Sequence, residues 1–187
     1  MLFKRMSLAA VLVAAAFSAN AQNTTPPATL PPINTIAALD VQRYMGTWHE
    51  IAKFPNRFQT QCVANTRAQY LAQTNGSVQV LNSCMTSDGS TIDALGQAHQ
   101  VGSATSPKLQ VRFAPAWLSW LPMVWGDYWV IDLDTDYQLA AVSDAKREYL
   151  WVLSRTPQVS AKAYDALLER LKAQHFDVQK LERTPQR

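Results

Sequence analysis

Ala64-Asn-Thr-Arg-Ala-Gln-Tyr-Leu-Ala72, Gln73-Thr74-Asn75-Gly76 and Ser77-Val-Gln-Val-Leu-Asn-Ser-Cys84 form the stretch that decides the fold. Two strand-like runs flank Asn75-Gly76, the strongest hairpin signal in the chain, because both residues tolerate the positive φ of a type I′ turn. Working outward, strand signals recur at a spacing of about ten residues with turn punctuation between them. They cover 47–54, 64–72, 77–84, 91–100, 109–113, 128–133, 139–142 and 149–154. The breaks fall at Asp88-Gly89, Ser106-Pro107, 134–137 and 144–147. Thr156-Pro157 ends the last strand, and Ser160 is placed to cap a helix over 161–175 whose Tyr164, Leu167, Leu168 and Leu171 form one apolar stripe. A short final strand is expected over 178–181. The pattern predicts an all-β fold: an eight-stranded antiparallel up-and-down barrel with one C-terminal helix packed outside. Such a barrel buries every strand edge and leaves room for one small ligand.

The ends of the chain read differently. Of 187 residues, 48% are hydrophobic and 17% charged, which suits one globular domain. Yet no charge appears between Arg5 and Asp40, a gap of 34 positions. Its apolar run from Leu8 to Phe17 has ten residues, whereas a membrane span takes roughly 20. Basic residues precede the run and Ala19-Asn20-Ala21 follows, so residues 1–21 are expected to be a secretory signal cleaved before Gln22. Residues 22–38 hold four prolines and are expected to be an extended tether outside the core. The domain is expected over 39–184, with 185–187 as a tail. Without the signal, 15 basic residues face 14 acidic ones, which argues against a nucleic-acid partner. No cysteine follows the apolar run to accept a lipid anchor, so the expected location is periplasmic or secreted.

Three short motifs recur in order: Asp40-Val-Gln-Arg-Tyr-Met-Gly46-Thr-Trp48 with His-Glu-Ile-Ala-Lys53, then Thr135-Asp136-Tyr137, then Leu153-Ser-Arg155-Thr-Pro157. Together they resemble the three motifs of the lipocalins, over about 39–184, with most likeness to the bacterial lipocalins and apolipoprotein D. The resemblance implies a calyx for a fatty acid or lysophospholipid and a role in outer-membrane envelope maintenance under stress. Physically, a ligand-sized barrel must be closed at one end. Trp48 beside a permissive Gly46 is suited to plug the floor, with the Arg155 guanidinium stacked on its indole.

Strand alternation assigns the wall once Trp48 faces inward. It places Glu50 and Ala52, then Val78, Val80 and Asn82, then Leu109, Val111 and Phe113, and finally Tyr149, Trp151 and Leu153 on the inner face. On the remaining strands alternation is ambiguous. Resemblance to retinoid-binding lipocalins implies Ala68 and Tyr70, Ala94 and Ala98, Tyr128 and Val130, and Ala140 and Val142 as inward. The expected wall is apolar with a few polar handles, as small-molecule pockets are.

If the first strand rises from the floor, 54–61, 85–90, 114–127 and 145–148 surround the mouth. Cys62 and Cys84 then both lie near the rim, and an oxidising compartment predicts a disulfide between them. The competing reading is a Cys62 thiolate nucleophile and a thiol-dependent enzyme. There is no triad, no metal spacing (His49, His99 and His175 are isolated) and no phosphate-cradling glycine loop. A binding protein is therefore expected, with no catalytic residue, metal or cofactor. The segment from Ala114 to Trp125 carries Trp117, Trp120 and Trp125 without a charge. A lid over the mouth, a membrane contact and a homodimer contact all fit it, the last allowing a scaffold that carries no ligand. Lys53, Arg57, Lys146 and Arg147 are candidates to meet a lipid phosphate at the rim.

Overall fold

The computed structural model describes residues 30–187. The expected signal and residues 22–29 of the expected tether lie outside the described residues. Strands β1 (Gly46–Lys53), β2 (Ala64–Ala72), β3 (Val78–Met85), β4 (Thr91–Gln100), β5 (Lys108–Arg112), β6 (Gly126–Leu133), β7 (Leu139–Ser143) and β8 (Leu150–Ser154) pair antiparallel in sequence order. β1 pairs with both β8 and β2, which closes the eight-stranded barrel. A single turn, α1 (Val41–Tyr44), precedes β1, and its N-cap Asp40 accepts from the Arg43 N–H.

Helix α2 (Ala161–Ala173) packs outside the barrel. Ser160 caps it by accepting from the Ala163 N–H at 3.2 Å. Leu167 and Leu171 are fully buried against Ile131, Leu139, Ala141, Leu150 and Val152, the outward residues of β6, β7 and β8. Arg170 grips Asp132 of β6 with two nitrogens, at 2.7 and 2.8 Å. Two cores therefore share the sheet, one inside the barrel and one beneath the helix.

Three boundaries differ from expectation. Ile33 is buried in the outer core and the Ile36 N–H donates to the Val130 carbonyl, so the end of the expected tether belongs to the domain. Its prolines mark the segment as extended without saying what it lies on. The apolar surface it meets holds it, the outer core at Ile33 and the inner one at Ile36. The expected strand at 178–181 is a 3₁₀ turn, Val178–Lys180, and the strand β9 (Glu182–Arg183) follows it. The cause is Asp177, whose carboxylate accepts from the Gln179 N–H and winds the segment into a turn.

The expected tail is also part of the wall. β1 pairs with β2 only over Gly46–His49, and β9 takes over beside Ala52 and Lys53. In the seam above His49, the Thr184 N–H donates to Ile51 and the Asn65 N–H to Pro185. The Gln186 amide bridges the carbonyls of Glu50 at 2.8 Å and Thr66 at 3.0 Å.

Cys62 and Cys84 are joined, with Cα atoms 5.5 Å apart. Both cysteines of the chain are thereby used, which removes the thiolate that the enzymatic alternative required. Replacing both by serine should lower the unfolding free energy by about 3 kcal/mol, the chain-entropy value for a loop of this length. Urea titration of the paired variant checks this, and an unchanged midpoint would reject it.

Candidate functional site

The floor is built first. Gly46 has a φ of +93°, which favours glycine, and a Cβ there would lie a tight 3.3 Å from the Arg155 guanidinium. Trp48 is fully buried and its indole N–H donates to the Tyr44 carbonyl at 2.8 Å. Arg155 lies 4.0 Å above the indole and donates to the carbonyls of Arg43, Thr47 and Tyr137. The motif Gly46, Trp48 and Arg155 thus joins α1, β1 and the β6–β7 turn into one plate.

Above the plate, Ala68, Tyr70, Val78, Val80, Ala98, Leu109, Val130, Ala140, Val142 and Leu153 are buried in the inner core. Val111, Tyr128 and Trp151 pack against it while remaining partly exposed. Higher on the inner face, opposite Val80 and Asn82, Gly96 and Ala94 of β4 are reached by solvent. Asn82 itself is half-buried. The inner face is thus buried toward the base and more exposed toward the rim.

Ala52 is the exception. A bulge between Glu50 and Ala52 shifts the register against β8, so Glu50 stays opposite inward Leu153 while Ala52 comes opposite outward Val152. Ala52 is buried in the core beneath α2 and does not line the barrel. Phe113 lies just beyond β5, 44% exposed, with its ring where a Cβ on Gly96 would sit. It caps the inner face at the rim. Tyr149 is also a rim residue, stacked 5.7 Å from Trp151 and tilted against Phe58 at 5.4 Å.

Glu50 is buried and held from two sides. Gln59, reaching down from the β1–β2 loop, donates to one oxygen at 2.5 Å, and the Thr184 hydroxyl donates to the other at 2.5 Å. The Gln59 carbonyl in turn accepts from the Trp151 indole at 3.0 Å and from Asn56 at 2.8 Å. Burial raises the Glu50 pKa above its ordinary value, and these hydrogen bonds and Lys53 only partly offset it. Gln59 gave no sequence signal, being one polar residue in a loop. Tyr44 is the other unassigned participant. Its ring stacks 4.7 Å from Trp48, and its hydroxyl meets that of Tyr128, which also meets Tyr70, both at 2.9 Å. The N-cap Asp40 followed by a single helical turn was the available signal for it.

The tryptophan loop lies against the outer wall. Trp125 packs 4.6 Å from His99 and 5.2 Å from the Arg112 guanidinium, and its indole donates to the Ser119 carbonyl. Arg112 is buried and donates to Ala114 at 2.6 Å and Gln97 at 2.8 Å. Trp117, Trp120 and Met123 of the same loop are exposed at 72%, 74% and 85%. Of the four rim cations, Lys53 pairs with Glu182, and Arg147 donates to the carbonyls of Gln174 and Pro31. Arg57 and Lys146 carry no ion pair among the described residues.

A raised carboxyl pKa favours folding in acid: the contribution is fully present below the ordinary value near 4.5 and is lost as pH rises through the higher folded value. Glu50→Gln removes that loss, and its amide retains one acceptor and gains a donor for the Thr184 oxygen. Its thermal midpoint relative to the unsubstituted protein should therefore rise between about pH 4 and pH 8. A difference that does not change with pH rejects the assignment.

A lipocalin-like domain family matches residues 39–186. The chain is 40% identical over 156 residues to temperature-induced lipocalin-1 of Arabidopsis thaliana, covering 82% of this chain and 83% of that protein. It is 33% identical over 176 residues to the outer membrane lipoprotein Blc of Escherichia coli K12, covering 94% and 93%. Among solved structures, insecticyanin from the tobacco hornworm Manduca sexta superposes with a TM-score of 0.64 at 21% identity, over 84% of this chain and 86% of that one. With its closed barrel, its plugged floor and these relatives, the chain belongs to the lipocalin family.

Proposed function

We propose that this protein is exported and carries a single-chain lipid, a fatty acid or lysophospholipid, in its barrel, serving envelope lipid storage or maintenance. The observation that carries the reading is the graded inner wall. It is sealed at Trp48, apolar through Val78, Val80, Leu109, Val130 and Leu153, and reached by solvent at Asn82, Ala94 and Gly96. An acyl chain entering from the rim would meet apolar surface downward and leave its head beside Arg57 and Lys146. The role is that of a carrier rather than an enzyme. The similarity to an outer membrane lipoprotein supports an envelope setting. No helix among the described residues is long and apolar enough to cross a membrane.

Each buried methylene contributes about 0.8 kcal/mol, roughly fourfold in affinity at full burial. Titration of delipidated protein by tryptophan fluorescence should therefore show affinity rising from C8 to C16 fatty acids. A flat response rejects the reading.

The exposed Trp117, Trp120 and Met123 support contact with a lipid surface at the mouth, since indoles favour the bilayer interface. Trp117→Ala with Trp120→Ala should reduce partition onto phosphatidylethanolamine–phosphatidylglycerol vesicles by more than about tenfold while leaving fatty-acid affinity unchanged. Unchanged partition, or a dimer abolished by the same substitutions, rejects the membrane contact.

A further inference from the structure

The base of the barrel holds three phenols in a row. The Tyr128 hydroxyl lies 2.9 Å from that of Tyr44 and 2.9 Å from that of Tyr70. Tyr44 and Tyr70 are buried, and Tyr128, between them, is the member left partly exposed on the inner face. Burial raises the pKa of all three, that of Tyr70 to about 12, so each keeps its proton at neutral pH.

Counting protons gives the consequence. Three phenols carry three O–H donors, and the two contacts between them use two. Whichever way the hydroxyls rotate, one donor is left over. Among the described residues, no further acceptor stands within hydrogen-bond reach of these three hydroxyls. That spare donor is available to an acceptor brought along the inner face, and a hydrogen bond made there in place of one to water is worth about 0.5–1.5 kcal/mol net.

The kind of acceptor follows from the charges nearby. Arg155 is the cation that acts on Tyr44 and Tyr70, but it lies on the Trp48 ring and spends its donors on three backbone carbonyls. A carboxylate brought to the phenols would lose its water without gaining an ion pair, which costs more than a neutral oxygen would. A ketone, ester or hydroxyl oxygen would lose less and still accept the spare proton.

We infer that the barrel selects lipids that are polar at both ends, with a neutral oxygen acceptor at the leading end that meets the Tyr44–Tyr128–Tyr70 cluster while the charged head stays at the rim. This rests on the lipid-carrier reading above and specifies its ligand class.

The test compares hexadecanoate with 15-oxohexadecanoate, which has the same chain length but a ketone near its far end, by isothermal titration of delipidated protein. The unsubstituted protein should prefer the ketone about three- to tenfold, the worth of one net hydrogen bond. Replacing Tyr44, Tyr70 and Tyr128 together by phenylalanine removes every donor and should reverse the preference. Equal or tighter binding of hexadecanoate by the unsubstituted protein overturns the inference while leaving lipid carriage standing. So does a ketone preference that survives in a folded triple variant. If the triple variant does not fold, the comparison of the two ligands on the unsubstituted protein decides the matter by itself. If neither ligand binds, the carrier reading falls and the inference falls with it.

Discussion

The contact of Arg155 with Trp48 is the constraint on which the rest of the barrel depends. An eight-stranded barrel wide enough for a ligand has two openings, and an apolar interior stays dry at its base only if one is sealed. The indole supplies the flat seal, and the guanidinium 4.0 Å away covers its outer side while tying down three carbonyls from separate segments. Beside it, the positive φ of Gly46 favours glycine, and the guanidinium leaves little room for a Cβ there. The seal also fixes α1, because the Trp48 indole donates to the carbonyl of Tyr44. The base of the cup is therefore polar behind the plate and, through the tyrosine hydroxyls, polar in front of it.

The second constraint lies at the other end of β1. β1 and β2 part company above His49, and β9 with the segment after it fills the gap. Glu50 sits at that parting. Its two oxygens are shared between Thr184 in the seam and Gln59 from the mouth loop, and Gln59 continues the chain to Trp151. One buried carboxyl thus connects a wall closure, a rim loop and a wall tryptophan. Buried polar groups in such an arrangement specify a single geometry more than they add stability.

What was legible in the sequence follows from which physical signals are local. Asn75-Gly76 specifies its turn through backbone conformation alone, and the strand–turn rhythm from 47 to 154 repeats that logic. Alternation read β3, β5 and β8 because one inner and one outer environment act on successive residues. It failed at Ala52, where a bulge whose position depends on pairing with β8 reverses the faces; no residue type announces it. Ile33, the segment after β9 and Gln59 were illegible for a related reason. Each is defined by a distant partner: the outer core for Ile33, the β1–β2 seam for Gln186, and Glu50 for Gln59. The 3₁₀ turn at Val178–Lys180 could have been anticipated from Asp177, since a side chain that caps its own downstream N–H competes with a strand.

The tryptophan loop shows how composition and placement divide the work. Composition alone allows a lid, a membrane contact or a subunit interface, because all three would bury indoles. Placement accounts for one of the three indoles: Trp125 is spent on His99 and Arg112 of the outer wall. The same buried arginine engages the Ala114 carbonyl and the Trp125 ring, while Trp117, Trp120 and Met123 stand exposed. The loop therefore spends one tryptophan on the wall and leaves two, with Met123, on the surface.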